Sequence, residues 1–146
     1  MEIERISQYN GENLSKAISE LFILTSFNEK QYPEYTKWFY SKMIPRLFNN
    51  TGEIYFVLDK FMIEGMIITK NTLEEKKLCQ IYIANNYRRQ GICSLLLEEA
   101  FKDLGTEKPL ITIPEYRIEE LSKIINKYGW KESGYINYNS KDIIFN

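Results

Sequence analysis

The spacing of hydrophobic residues along this chain changes period several times, and each change marks an element. The pattern is clearest between residues 78 and 105. A β-rich run (Leu78 to Ala84) leads into a polar turn (Asn85 to Gln90), and then Ile92, Leu96, Ala100 and Leu104 recur at three and four residue steps, flanked by Leu95, Leu97 and Phe101. That spacing places apolar side chains on one face of a helix, which opens at Gly91 and stops at Gly105.

Weaker patterns cover the remainder of the chain. Ile3 and Ile6 within Met1 to Gln8 predict a short first strand. Leu14, Ala17, Ile18, Leu21 and Phe22 predict helix one, with Asn13 as its N-cap. After a turn from Asn28 to Tyr32, Pro33 stands near the start of a second helix with Tyr35, Trp38, Phe39 and Met43 on one side; Pro45 is expected to end or kink it. Glu53 to Asp59 and Phe61 to Thr69 predict a hairpin across Asp59-Lys60, after a turn at Thr51-Gly52. Gly65 suggests a bulge or a close approach. Glu64 beside it is expected to face solvent, with a catalytic role as the alternative.

A charged loop from Asn71 to Lys77 precedes the strand at Leu78. Pro109 to Ile113 is a short buried strand that Pro114 ends, so strand, helix and strand from residue 78 onward form a βαβ unit with parallel strands. Ile118, Leu121, Ile124 or Ile125, and Tyr128 predict a last helix closed by Gly129. Trp130 to Tyr138 and Lys141 to Phe145 then form an antiparallel pair around Asn139-Ser140. At 146 residues, 1–146 is read as one domain.

Composition narrows the chemistry. With 19 Lys+Arg against 20 Asp+Glu the net charge is −1, which does not suggest nucleic-acid binding. No apolar run approaches a membrane span and MEIERISQYN lacks a signal peptide's pattern, so a cytoplasmic location without membrane association is expected. Cys79 and Cys93 match no zinc or redox spacing and are expected to be reduced thiols. The chain has no histidine, which excludes Ser-His-Asp and Cys-His arrangements, the HExxH motif and any His-ligated metal. No metal is expected. Proton transfer falls to a carboxylate, a tyrosine or water.

The turn before the helix can hold an anion. First-turn amides lack intrahelical partners and carry partial positive charge, Gly91 leaves their approach open, and Arg88 and Arg89 add charge that forks onto phosphate. The same residues also suit a plain strand-to-helix turn with two solvated arginines. Arg88-x-x-Gly91-x-Cys93, preceded by Ile81-Tyr82-Ile83 and followed by Ser94-Leu95-Leu96-Leu97, resembles the acyl-CoA signature Arg/Gln-x-x-Gly-x-Gly/Ala of the GNAT superfamily of N-acetyltransferases. Lys127-Tyr128-Gly129-Trp130 resembles the family's helix-ending x-x-Gly-Phe segment. Cys93 departs from the second small position, and Ile125 stands where many members carry a tyrosine general acid.

The resemblance implies an α/β (α+β) fold: a mixed, mostly antiparallel sheet of about six to seven strands with about four helices and a splayed parallel pair at the cofactor site. It implies that the backbone of Arg88, Arg89, Gln90, Gly91, Ile92, Cys93 and Ser94 binds the pyrophosphate of acetyl-CoA. It also implies that Ile81, Tyr82 and Ile83 offer amides to the pantetheine arm and thioester carbonyl. The activity implied is acetyl transfer to a primary amine, on a small molecule or a peptide, by a monomer or homodimer. A non-catalytic acyl-CoA-binding module, or an interaction domain with only the fold, is the alternative.

An amine with pKa near 10.4 is only about one part in a few thousand neutral at pH 7, so a base or desolvation must assist. Glu115 and Tyr116, just past the strand end, are the candidate base and acid; a loop end dressed with polar residues is the competing reading. Tyr82 and Tyr128 are alternatives. Aromatic rings of the second helix, with Glu29 and Glu34, favour a cationic or amphipathic acceptor over an acidic one.

Overall fold

The computed structural model describes residues 2–137 and 141–146. Among these, seven strands form one sheet: β1 (Ile3–Arg5), β2 (Gly52–Asp59), β3 (Met62–Asn71), β4 (Lys76–Ile83), β5 (Leu110–Pro114), β6 (Glu132–Asn137) and β7 (Lys141–Phe145). Their order is β1-β2-β3-β4-β5-β7-β6, and only β4 and β5 run parallel. The helices are α1 (Gly11–Thr25), α2 (Tyr35–Trp38), α3 (Ile44–Phe48), α4 (Ile92–Leu104) and α5 (Ile118–Tyr128). The expected turn at Asn139-Ser140 lies outside the described residues.

Strands that are apolar on both parities need cover on both faces. In β2, Tyr55 and Val57 pack into one core with Leu96, Ala100 and Phe101 of α4 and Leu121 and Ile125 of α5. Ile54 and Phe56 face the opposite core, against Leu21 of α1, Tyr35 of α2, and Phe39 and Met43. The first core continues under β5 and β7 through Ile111, Ile113, Ile143 and Phe145, whereas the strand residues buried in the second belong to β2 and β3. The buried apolar residues of this helical layer therefore end over β4, and that face of β5 and β7 holds Pro114 and Asp142 buried and Thr112 and Ile144 half-buried.

Several expectations shift in detail. Helix α1 begins at Gly11 behind Asn10, not behind Asn13, because its first turn is polar and carries no periodic signal. Pro45 does not end the second helix. Phe39–Met43 form a π turn in which the Ile44 N–H donates to Phe39 O, and α3 continues directly through the proline. A π turn shifts the hydrogen-bond ladder by one residue, so the missing proline N–H is absorbed there. The loop before β4 shrinks to residues 72–75, closed by the Glu75 N–H donating to Thr72 Oγ1 at 2.9 Å.

Glu64 is 6% exposed and does not face solvent. Val57 pairs with Gly65 and Leu58 with Ile63, so Glu64 is the extra residue of a bulge, and its Oε2 has no hydrogen-bond partner among the described residues. Gly65 makes the close approach expected of it. A Cβ there would lie 2.7 Å from Ile83 Cδ1, 3.1 Å from Tyr82 O and 3.3 Å from Ile92 Cγ2. Gly65→Ala is therefore expected to lower stability by about 1–3 kcal/mol in urea denaturation. The same change at Gly134, where the nearest atom is Ile144 Cδ1 at 3.8 Å, is expected to stay within about 0.5 kcal/mol of the parent.

Candidate active site

The β4–β5 ladder is two pairs long: Lys77 opposite Leu110 and Leu78 opposite Ile111. Immediately afterwards β4 carries an extra residue. Ile68 pairs with Gln80 and Thr69 with Leu78, leaving Cys79 unpaired in a bulge, and bulges increase local twist. Beyond it β4 and β5 diverge. The Ala84 N–H donates to Glu64 O on the β3 side at 2.8 Å. Peptide groups alternate along a strand, so those of Tyr82 also face β3, while those of Ile81 and Ile83 face the gap.

A cavity of about 450 Å³ occupies this opening. Its lining includes Ile81, Ile111 and Ile113, which face α4 and α5, together with Gln80, Thr112 and Asp142, which face the other way. Residues from opposite faces of a sheet can share one cavity only where the ladder is open. The cavity thus passes through the sheet.

At one end of the gap, Arg89 adopts φ +65° and Gly91 φ +81° before α4 begins. A left-handed conformation costs a residue with a Cβ about 1–2 kcal/mol, and strain of this kind clusters at ligand clamps. The first helical bond of α4 runs from the Leu95 N–H to Gly91 O, so the amides of Ile92, Cys93 and Ser94 have no intrahelical acceptor. A Cβ built on Gly91 meets nothing within 4 Å. The space before these amides is open.

Two guanidiniums cap the exposed edge of β4. Arg88 Nε donates to Ile83 O at 3.2 Å, and Arg117 Nη2 to Ile81 O at 3.4 Å. Glu120 of α5 holds both, 3.5 Å from Arg88 Nη2 and 3.1 Å from Arg117 Nε. Lys127 of α5 also donates to Ser94 Oγ at 3.4 Å.

On the α1–α3 side the cavity is lined by aromatic rings with engaged hydroxyls. Tyr35 donates to Gln80 Oε1 and lies 2.7 Å from Thr25 Oγ1; Tyr32 donates to Asp142 Oδ2 at 2.8 Å. Burial pushes the Tyr35 hydroxyl up to about 12. Burial, and then the hydrogen bond to Asp142, raise Tyr32 as well, with Tyr116 and Arg117 among the charges that act on it. Asp142 is 4% exposed and is the buried carboxylate of the lining.

The residues singled out in the sequence are distributed unevenly around this opening. Ile81 and Ile83 present their peptide groups to it, whereas Tyr82 bonds toward β3 and packs its ring near Phe27, with centroids 6.0 Å apart. Arg88, Arg89, Gln90 and Gly91 form the exposed turn, while Ile92 is buried in the core and contributes only its backbone. Cys93 packs against the core too, and burial pushes its thiol up to about 12. Tyr116 lines the cavity; Glu115 does not, and its carboxylate lies 3.6 Å from Lys141 Nζ. Ile125 is buried in the core.

Glu29 turns away from the cavity to accept the Thr36 N–H at 2.6 Å, whereas Glu34 belongs to the lining. Sequence reasoning missed Gln80 and Asp142. Asp142 did leave a trace, as the polar position alternating with Ile143 and Phe145 in β7. Among the described residues no helix is long and apolar enough to cross a membrane, and no group of three or more Cys, Asp or Glu residues is placed to hold a metal ion.

No family model and no curated protein matches this chain. Solved structures do match. A GNAT-family protein from Desulfovibrio desulfuricans, described as an acetyltransferase, aligns over 99% of this chain and 96% of its own at 13% identity and TM-score 0.69. Ard1 from Thermoplasma volcanium aligns over 99% and 94% at 14% identity and TM-score 0.69. PaiA N-acetyltransferase from Thermoplasma acidophilum, solved in complex with coenzyme A, aligns over 99% and 98% at 19% identity and TM-score 0.66. The fold is GNAT-like, with the seven-stranded mixed sheet and single parallel pair that the resemblance implied.

Two measurements follow from these environments. Burial raises both thiols, so Cys79 and Cys93 are expected to react slowly with a disulfide reagent at pH 8 and rapidly once urea unfolds the chain. Tyr35 ionises near 10 when unfolded and near 12 when folded. Its contribution to stability is complete below pH 10 and is lost between pH 10 and 12, as the unfolded state releases a proton that the folded state retains. The urea midpoint is expected to fall across that window, while Tyr35→Phe flattens the decline.

Proposed function

We propose that this protein is an acyl-CoA-dependent N-acetyltransferase of one domain, which moves an acetyl group from acetyl-CoA to a primary amine. The observation that carries this reading is the cavity where β4 and β5 part: Ile81 lines it with a peptide group that has no strand partner on the β5 side, and the same strand leads through the turn to the open N-terminus of α4. The residues present fit the ligand. The amides of Ile92, Cys93 and Ser94 and the turn from Arg88 to Gly91 suit a diphosphate, and the empty position at Gly91 lets it approach the backbone. Arg89 is exposed and its charge is available, whereas Arg88 is engaged by Glu120 at 3.5 Å and by Ile83 O at 3.2 Å. Solved neighbours of the same fold carry coenzyme A or acetyl-CoA.

Acetyl-CoA supplies an acetyl group activated as a thioester, with coenzyme A thiolate as a tolerable leaving group. The Ile81 N–H faces the gap as a preorganised donor for charge developing on a carbonyl oxygen, an effect of about 3 kcal/mol. Asp142 takes the proton from the acceptor ammonium, a role that passes to it from Glu115, which lies outside the cavity lining. Tyr116, exposed at the cavity wall, donates the proton that the departing sulfur requires. Tyr32 keeps its own proton, because its phenol is raised, and so holds the Asp142 carboxylate in place.

Calorimetry with acetyl-CoA tests the ligand assignment. Gly91→Trp is expected to abolish binding while the thermal midpoint shows a folded protein; equal affinity in both proteins removes the assignment. Free-thiol release with a panel of amines tests catalysis. Asp142→Asn and Tyr116→Phe are each expected to lower turnover by roughly a hundredfold, with acetyl-CoA affinity unchanged. Acetyl-CoA binding without thiol release from any amine would assign the chain to the binding-module reading.

A further inference from the structure

Along β4, away from the gap, the cavity continues on the α1–α3 face to a wall built from Arg46, Lys70, Glu75, Lys77 and Cys79. Lys70 and Lys77 stand directly opposite each other in the β3–β4 ladder. Like charges at paired positions oppose folding. Glu75 pairs with one of them, Oε1 lying 3.0 Å from Lys70 Nζ, and Lys70 first, then Lys77 and Arg46 from further off, hold its carboxyl below the usual range. Among the described residues neither Arg46 nor Lys77 has a carboxylate within ion-pair distance, and the nearest polar partner of Arg46 is Cys79 Sγ, 4.0 Å from Nη1. That thiol stays neutral.

The arginine is placed by the backbone. The Thr51 N–H donates to Arg46 O at 3.0 Å, and Gly52 makes room for its stem, since a Cβ there would lie 3.0 Å from Arg46 Cβ. Three cations therefore share this end of the cavity with one carboxylate. These charges are half-buried and line one wall of the same open cavity that Ile81 and Asp142 line.

We infer that the acceptor is an amine bearing an oxyanion at its far end, a carboxylate or a phosphonate-like group, seated on Arg46 and Lys77. This rests on the acetyltransferase reading for the amine end only. Cys79, beside Arg46, and Lys77 lie two and four residues before Ile81, so the oxyanion seat and the reacting nitrogen are separated by roughly 7–13 Å along the strand. An α-amino acid is too short for both positions. An ω-amino carboxylate spans them, with its ammonium toward Asp142 and Gln80.

The test compares four probes of similar length: ε-aminocaproate, an ω-aminoalkyl phosphonate, the diamine cadaverine and hexylamine. The oxyanion-bearing amines are expected to exceed cadaverine in kcat/KM by about tenfold or more. Lys77→Gln and Arg46→Gln, singly and together, are expected to remove that preference through KM, with kcat and acetyl-CoA affinity retained. The carboxylate and phosphonate arms separate the two oxyanions. Equal or better use of cadaverine, or a preference that survives in the double variant, overturns the inference and leaves the acetyltransferase reading standing. A second readout is independent of turnover: calorimetric binding of ε-aminocaproate to the free protein, lost in either folded single variant, supports the oxyanion seat even if no amine is acetylated. No binding to the parent protein of either oxyanion probe overturns it.

Discussion

One extra residue in β4 shapes the half of this protein that holds the cavity. Cys79 sits unpaired immediately after the last β4–β5 pair, and the added twist prevents the parallel ladder from continuing. Three features follow. Cys79 and Gln80 both turn toward α1–α3, where Gln80 meets the Tyr35 hydroxyl. The peptide edges of Ile81 and Ile83 lose any strand partner on the β5 side. A cavity then joins the two faces of a sheet that is elsewhere closed by packing. The buried apolar residues of the α1–α3 layer end short of β5 and β7.

The framework was legible in the sequence because it depends on local rules. The spacing from Ile92 to Leu104 makes α4, and Gly105 and Gly129 end their helices with φ of +72° and +70°. The strand-helix-strand order from residue 78 requires the parallel pair. Where the reading failed, a neighbour in the ladder had changed the rule. Glu64 is buried because a bulge breaks strand alternation, and Pro45 is carried by a π turn that no proline rule anticipates. The α1–α3 side of the cavity was the least legible. Tyr32 and Asp142 are 110 residues apart, and Tyr35 and Gln80 are 45 apart, so each pair exists only once the sheet has formed.

Charge is distributed around the cavity by function of position and not by net balance. The chain is almost neutral, with a net charge of −1. Yet Arg88 and Arg117 gather at one edge of the opening with Glu120, Arg46 and Lys77 at another, and the Tyr32–Asp142 pair stands between them on the wall. A near-zero sum conceals local excesses of either sign, which are what a bound molecule meets at distances shorter than the screening length.

The guanidinium caps on Ile81 and Ile83 have a further consequence, for self-association. A splayed strand presents unpaired peptide groups inside an otherwise closed sheet, and such an edge is a template for a strand from another chain. Arg88 and Arg117, tethered through Glu120, occupy the carbonyls that an incoming strand would need first. A polypeptide would have to displace both side chains along its whole width, whereas a narrow, flexible chain can replace them one at a time. The opening is thereby protected against β-strand addition by the side chains that border it.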